Sequence, residues 1–204
     1  MTSDSGFSST PFSSFDSAAP SAVAFPMVAG PLKPGQLLAV MERIEAELLP
    51  NLLTHAARWQ SLFVDYEPPF VERLWAPVSV DGQPYRVFFH RIHPAEPELC
   101  LFHPHPWPSA IKILSGSYLM STGHGAGFEP PPISMRLKLA AGASYEMAHP
   151  DGWHSVCPLC EPSCSIMVTG APWDRPSHKP LFPLEPQIAG DLLSFFRCDY
   201  GLGG

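Results

Sequence analysis

The chain has 204 residues, a formal net charge of −7, 45% hydrophobic and 15% charged residues, and 26 prolines, the last about 13% of the chain against a typical ~5%. That length suits one domain with tails, and apolar side chains spread from residue 36 to residue 200 exclude disorder throughout. Proline at this density excludes a mainly helical fold, because each one inside a helix removes a backbone donor and costs ~3 kcal/mol.

Residues 1–33 carry eight serines in their first 25 positions, with no period, and are expected to form a flexible Ser/Pro-rich tail. From Pro34 the pattern changes. Leu37, Val40, Met41, Ile44 and Leu48 recur at spacings of three and four, which predicts an amphipathic helix ended by Pro50. A second short helix fits Asn51 as its cap, with Leu52, Ala56, Trp59 and Phe63 on one face. Residues 34–65 thus read as a helical pair that covers one face of a neighbouring sheet.

Beyond residue 65 the helical period is lost. Asp81-Gly82 between β-rich runs predicts a hairpin of Pro77–Val80 with Tyr85–His93. Strands are expected at Leu99–His105 and Ile111–Leu114, and Ser115-Gly116 reads as a hairpin turn into Tyr118–Thr122. Ile133–Leu139, Tyr145–Met147, Trp153–Val156 and Cys164–Thr169 complete about eight short strands, a number that argues for a closed β architecture over residues 66–175. Residues 176–204 read as a proline-rich wrap with a short apolar segment, Ile188–Arg197, that packs back on the barrel.

Several function classes are disfavoured. Four lysines and eight arginines, with no basic run, do not supply the clustered charge that nucleic acid requires. No apolar stretch approaches ~18 residues, so no membrane span is expected. Residues 1–32 hold no Lys or Arg and show no basic and apolar leader pattern, so a cytoplasmic location is expected. Five cysteines, three of them bunched, do not form a disulfide framework pattern.

Histidine is the informative residue: seven of the nine fall within residues 90–154. His103 and His105 form HPH, and alternate residues of a strand project from one face, about 6–7 Å apart at Cα, which suits two ligands of one metal ion. Some fifty residues later GASYEMAHPDGWHSV offers His154 after a Pro-Asp-Gly turn, with His149 as its competitor. His154 opens a strand and is the better placed of the two. Three neutral imidazoles on one face leave about three coordination positions open, room for a substrate and O₂ together. Zinc, nickel and copper suit the same donor set as iron. His90 and His93 have opposite strand parity, so at most one faces inward.

These segments resemble the two-motif signature of the cupin superfamily: His-x-His, a spacer and Gly116 in the first motif, then a glycine, a Pro-x-Gly turn and a third histidine in the second. The resemblance spans roughly residues 78–170 and implies a mainly β fold, a cupin double-stranded β-helix (jelly-roll barrel), here with two short N-terminal helices. Cupins usually carry a glutamate ligand where Ser109 or Ala110 stands. That departure is similar to the cysteine dioxygenase and thiol dioxygenase branch, whose segments look like HPHPWPSAIKILSGSY, GWHSV and EPSCSIMVTGAPW.

By that resemblance His103, His105 and His154 are the metal ligands, the ion is Fe(II), and the partners are O₂ and a small thiol or chelating substrate. Ser109 stands where the branch often carries a crosslinked cysteine. Ser165 matches the serine of the branch's Ser-His-Tyr relay, Met167 and Thr169 replace the other two members, and Ser165 and Thr169 are the candidate catalytic groups. Arg86, Tyr118 and Trp153 are candidates to touch substrate. Arg73, Arg86 and Arg91 stand nearby, none of them aligned with the arginine that binds the substrate carboxylate. The alternative is a non-catalytic metal- or ligand-binding module, with a structural zinc on His154, Cys157, Cys160 and Cys164. The sequence leaves the oligomeric state open.

Overall fold

The computed structural model describes residues 32–127, 129–173 and 181–202. The expected tail therefore lies outside the described residues up to position 31, as do His178 and the first part of the proline-rich wrap.

The first helix, α1 (Gln36–Arg43), runs through a π-helical turn (Ile44–Leu48) directly into α2 (Leu49–Thr54). Pro50 does not end it: the proline sits in the first turn of α2, where a missing N–H costs nothing. Asn51 is consequently inside α2 and is no cap. Its carbonyl accepts from the Thr54 hydroxyl at 2.7 Å and lies 2.9 Å from His55 Nδ1, side-chain bonds that compete with further helix. A 3₁₀ turn (Ala56–Arg58) follows, and then the chain extends. The second helix expected to reach Phe63 is thus corrected: residues 60–64 form strand β1, paired along its length with Val71–Trp75. Helical spacing was present, but a distant strand partner won.

Nine further strands follow: β2 (Val71–Val80), β3 (Gln83–Ile92), β4 (His103–Pro104), β5 (Ser109–Ser115), β6 (Ser117–His124), β7 (Met135–Ala140), β8 (Ser144–Met147), β9 (Gly152–Cys157) and β10 (Ser163–Thr169). They form two antiparallel sheets, one ordered β1-β2-β3-β10-β5-β8 and the other β4-β9-β6-β7. The fold is therefore mainly β, and the alternation of strands between the sheets from β3 to β10, interrupted at β6–β7, is consistent with a jelly roll. The Asp81-Gly82 hairpin is present, with φ of 51° and 76° at its two central residues, the left-handed pair such a turn needs.

Two turn readings change. Ser115-Gly116 does not make a hairpin, because β5 and β6 belong to different sheets. Gly116, at φ 73°, bends the chain across so closely that a Cβ there would lie 2.9 Å from the Pro162 carbonyl oxygen. The strand expected at Leu99–His105 pairs only at His103–Pro104, since prolines at 104, 106 and 108 remove ladder donors and the Leu101 N–H is spent on the Pro68 carbonyl at 2.7 Å.

The main core lies on the outer face of the six-stranded sheet, under the helices. Leu37, Met41, Ile44 and Leu53 pack there on Leu74, Val87, Phe89, Ile166 and Val168, closed by Leu192 and Phe196 of α3 (Pro186–Asp199). The expected apolar segment Ile188–Arg197 lies within α3, and Phe196 stacks on Phe89 with ring centroids 4.1 Å apart. Strict alternation along β2, β3 and β10 sends the intervening residues the other way. Arg73, Arg86, Phe88, His90, Ser165 and Met167 all face the space between the sheets. No helix among the described residues is long and apolar enough to cross a membrane.

Candidate metal centre

β4 is the edge strand of its sheet and holds its single partner, β9, by the pairs His103↔His154 and Pro104↔Trp153. An edge position tolerates Pro104, whose missing N–H leaves no ladder bond unmade. His105, just past β4, folds back beside them.

The three imidazoles converge: one nitrogen from each lies within 4.8 Å of the others. His105 Nε2 and His154 Nε2 are 3.0 Å apart, and the His103 ring centroid is 5.4 Å from that of His105 and 5.0 Å from that of His154. The opposite ring edges are engaged. His103 Nδ1–H donates to the Leu101 carbonyl at 3.1 Å, which holds the ring by its Nδ1 edge. His105 Nδ1 is hydrogen-bonded to the hydroxyl of Ser109, a fully buried residue, and His154 Nδ1 lies 3.4 Å from the Tyr145 hydroxyl. Tyr118 donates to that same Tyr145 oxygen at 3.1 Å. Burial, above all, holds His105 and His154 well below the ordinary histidine range, so both rings are neutral.

This donor set fits a divalent transition metal. Two nitrogens 3.0 Å apart match ligands set near a right angle on an ion, with bonds of about 2.1 Å. Each Nδ1 edge is held by an oxygen, as metal-bound histidines require.

A cavity of about 620 Å³ opens between the sheets over these rings. Its other wall carries a row of polar residues set by strand register: Arg73 pairs with His90, and His90 with Ser165, across β2, β3 and β10. Arg73 Nε and His90 Nε2 are buried without a hydrogen-bond partner. Burial lowers the Arg73 guanidinium to about 10. It also pushes His90 well below its usual range, with Arg73 adding to the effect. The Arg73 guanidinium lies 5.5 Å from the Phe88 ring centroid, and that of Arg86 rests over Trp75 and Trp107 at 5.9 and 5.7 Å.

Of the other residues singled out in the sequence, Ser165, Arg86 and Tyr118 line this cavity. Thr169 does not; it is fully buried at the far end of β10 and its hydroxyl has no partner. Trp153 is also corrected. Next to His154 on β9, it points to the opposite face, packs on Phe102 and donates to the Gly125 carbonyl at 2.9 Å. His149 is not a competitor for the third position, because it is exposed and stands with His124 and Asp151 in a separate surface group. His93 bonds Glu72 at 3.2 Å. Arg91 bonds Glu72 as well, away from the cavity.

The four-ligand zinc cluster is not formed among the described residues. Cys157 ends β9 in one sheet, Cys164 lies in the helix-facing core on the other, and Cys160 is exposed between them. Arg73, which the motifs left unaligned, and His90, the inward member of the His90/His93 pair, line the site together with Tyr145. The period-2 alternation of Arg73 and Trp75 against Leu74 and Ala76 was the available signal.

No protein-family model and no curated protein sequence matches the chain. Solved structures similar to it include hydroxypropylphosphonic acid epoxidase from S. wedmorenis, at 15% identity and a TM-score of 0.42 over 56% of each chain. The Fe(II) form of HppE is similar at 13% identity and a TM-score of 0.37, over 48% of this chain and 50% of that one. KdgF from Halomonas sp. is similar at 15% identity and a TM-score of 0.39, over 55% of this chain and 89% of that one. The chain spans about half the length of the two epoxidase structures.

Proposed function

We propose that this chain is a cupin-type mononuclear non-haem iron dioxygenase that oxidises a small anionic thiol or chelating substrate with O₂, the ion held by Nε2 of His103, His105 and His154. The observation that carries the reading is the convergence of three imidazoles, each held at its Nδ1 edge, at the floor of an internal cavity. When bound, Fe(II) supplies the redox chemistry and the field that strips the proton from a coordinated thiol.

The protein's own groups set which substrate fits. Arg73 offers a buried positive charge with an unfilled donor, which suits a carboxylate or similar anion. His90, neutral and unfilled, and Ser165 extend that polar row toward the metal side, where they orient a ligand by hydrogen bonds. Tyr145 accepts from Tyr118 and anchors His154, so its own hydroxyl proton is available toward the cavity. Ile111 and Met167, packed on Phe88, supply an apolar stretch of wall that excludes water there.

The test is metal analysis of anaerobically purified protein, followed by O₂ uptake with cysteine, 3-mercaptopropionate and cysteamine. About one iron per chain, lost in His103→Ala, with uptake on the carboxylate-bearing thiols, is the expected result. Absence of stoichiometric metal in the native protein would sink the iron reading. Metal without O₂ uptake on any thiol would leave a metal-binding module.

A further inference from the structure

The segments that lead into His103 and out of His154 also bring together two cysteines the metal site does not use. Cys100 lies in the turn before β4, and Cys157 ends β9. Both thiols are buried. Their contacts confirm the proximity: Cys157 Sγ–H donates to the Ala95 carbonyl at 3.1 Å and Cys100 Sγ–H to the adjacent Glu96 carbonyl at 3.4 Å. The Cys157 thiol is also close enough to bear electrostatically on that of Cys100. The Ala95 N–H in turn donates to the Pro158 carbonyl at 3.1 Å, closing this loop onto the end of β9.

We propose that Cys100 and Cys157 are an oxidisable pair that closes to a disulfide, clamping the loop before His103 onto β9. The two thiols rest on the carbonyls of consecutive residues, Ala95 and Glu96, so both reach the same short stretch of backbone. In the step each thiol gives up its proton, a sulfur–sulfur bond forms, and the two electrons reduce a peroxide: hydrogen peroxide becomes two waters. A small-molecule disulfide serves equally, being reduced to two thiols. Burial, together with the Cys157 contact, raises the Cys100 thiol to about 12, so thiolate is scarce at neutral pH and closure accelerates as pH rises. Of the remaining cysteines, Cys160 and Cys198 are exposed and Cys164 is packed under the helices.

The inference is independent of the iron reading, and its test reads a covalent bond. The full chain is exposed to hydrogen peroxide near neutral pH and at about pH 9, free thiols are alkylated in denaturant, and the unreduced digest is mapped by mass spectrometry. The expected result is a peptide joined through Cys100 and Cys157, formed faster at the higher pH. It should persist in Cys160→Ser and be absent from Cys100→Ser. Closure should also raise Tm by about 5–10 °C, the gain expected from a long bridged loop. A Cys157 to Cys160 linkage, or over-oxidised thiols without a bridge, would overturn the assignment.

Discussion

His103 and His154 face each other as register partners across β4 and β9, so two of the three proposed ligands are fixed by a single pair of antiparallel strands. The third, His105, comes from the residue just beyond the edge strand and is held by Ser109. This division of labour decides how each ligand should respond to mutation.

Removing any one of the three imidazoles should lower metal affinity more than tenfold, while His149→Ala should leave the metal content unchanged. Metal analysis of the four purified variants checks this. Equal loss in His149→Ala would mean that the exposed group at His124, His149 and Asp151 holds the ion instead.

Ser109→Ala deletes the oxygen that orients His105 without opening much space in a fully buried position. Metal affinity should fall about 10- to 100-fold, as for other lost ligand supports, with Tm little changed. Ser109→Thr, which keeps the hydroxyl, should restore part of the affinity; titration with Fe(II) against a competing chelator reads both.

Arg73→Met replaces a buried guanidinium whose Nε has no partner. Loss of a charged hydrogen bond is worth about 1.5–3 kcal/mol. KM for a carboxylate-bearing thiol should therefore rise about 10- to 100-fold, with cysteamine unaffected. Stability should hold or rise, because a buried charge with an unfilled donor is costly. Equal effects on all three thiols would remove Arg73 from the anion-binding role.

His90 gives a pH dependence. Burial holds its folded-state value well below the ordinary 6.5, so as pH falls through 6.5 the unfolded chain takes up the proton and the folded one does not. Stability must then fall with falling pH, by up to about 1.4 kcal/mol per unit for this group. The loss continues until His90 protonates in the fold. His90→Gln should reduce that slope by the same amount between about pH 6.5 and 5, measured by urea denaturation of the metal-free protein. Identical slopes would contradict a neutral, buried His90.

Gly116→Ala should destabilise the fold by about 1–3 kcal/mol, through a left-handed backbone and forced contact with a neighbouring strand. The residue sits at φ 73°, with the Pro162 carbonyl 2.9 Å from the new methyl position. Chemical denaturation measures it; a neutral substitution would show that the crossing between sheets relaxes freely.

Sequence alone determined the features that depend on local chemistry. Proline density excluded a helical protein, Asp81-Gly82 marked its hairpin, and alternation marked most strands. HPH and the histidine after the Pro-Asp-Gly turn identified the three imidazoles that come together. Tertiary structure decided everything that rests on distant partners. Residues 60–64 became a strand because β2 offered them a partner, against a helical spacing that was locally sound. Gly116 crosses between sheets and makes no hairpin, because Pro162 and Ser163 pack against it. Arg73 and His90 were left in strands whose buried and cavity faces alternate with period two. Only the second sheet, which carries His103 and His154 and leads directly into His105, turns their shared face into the wall of a site.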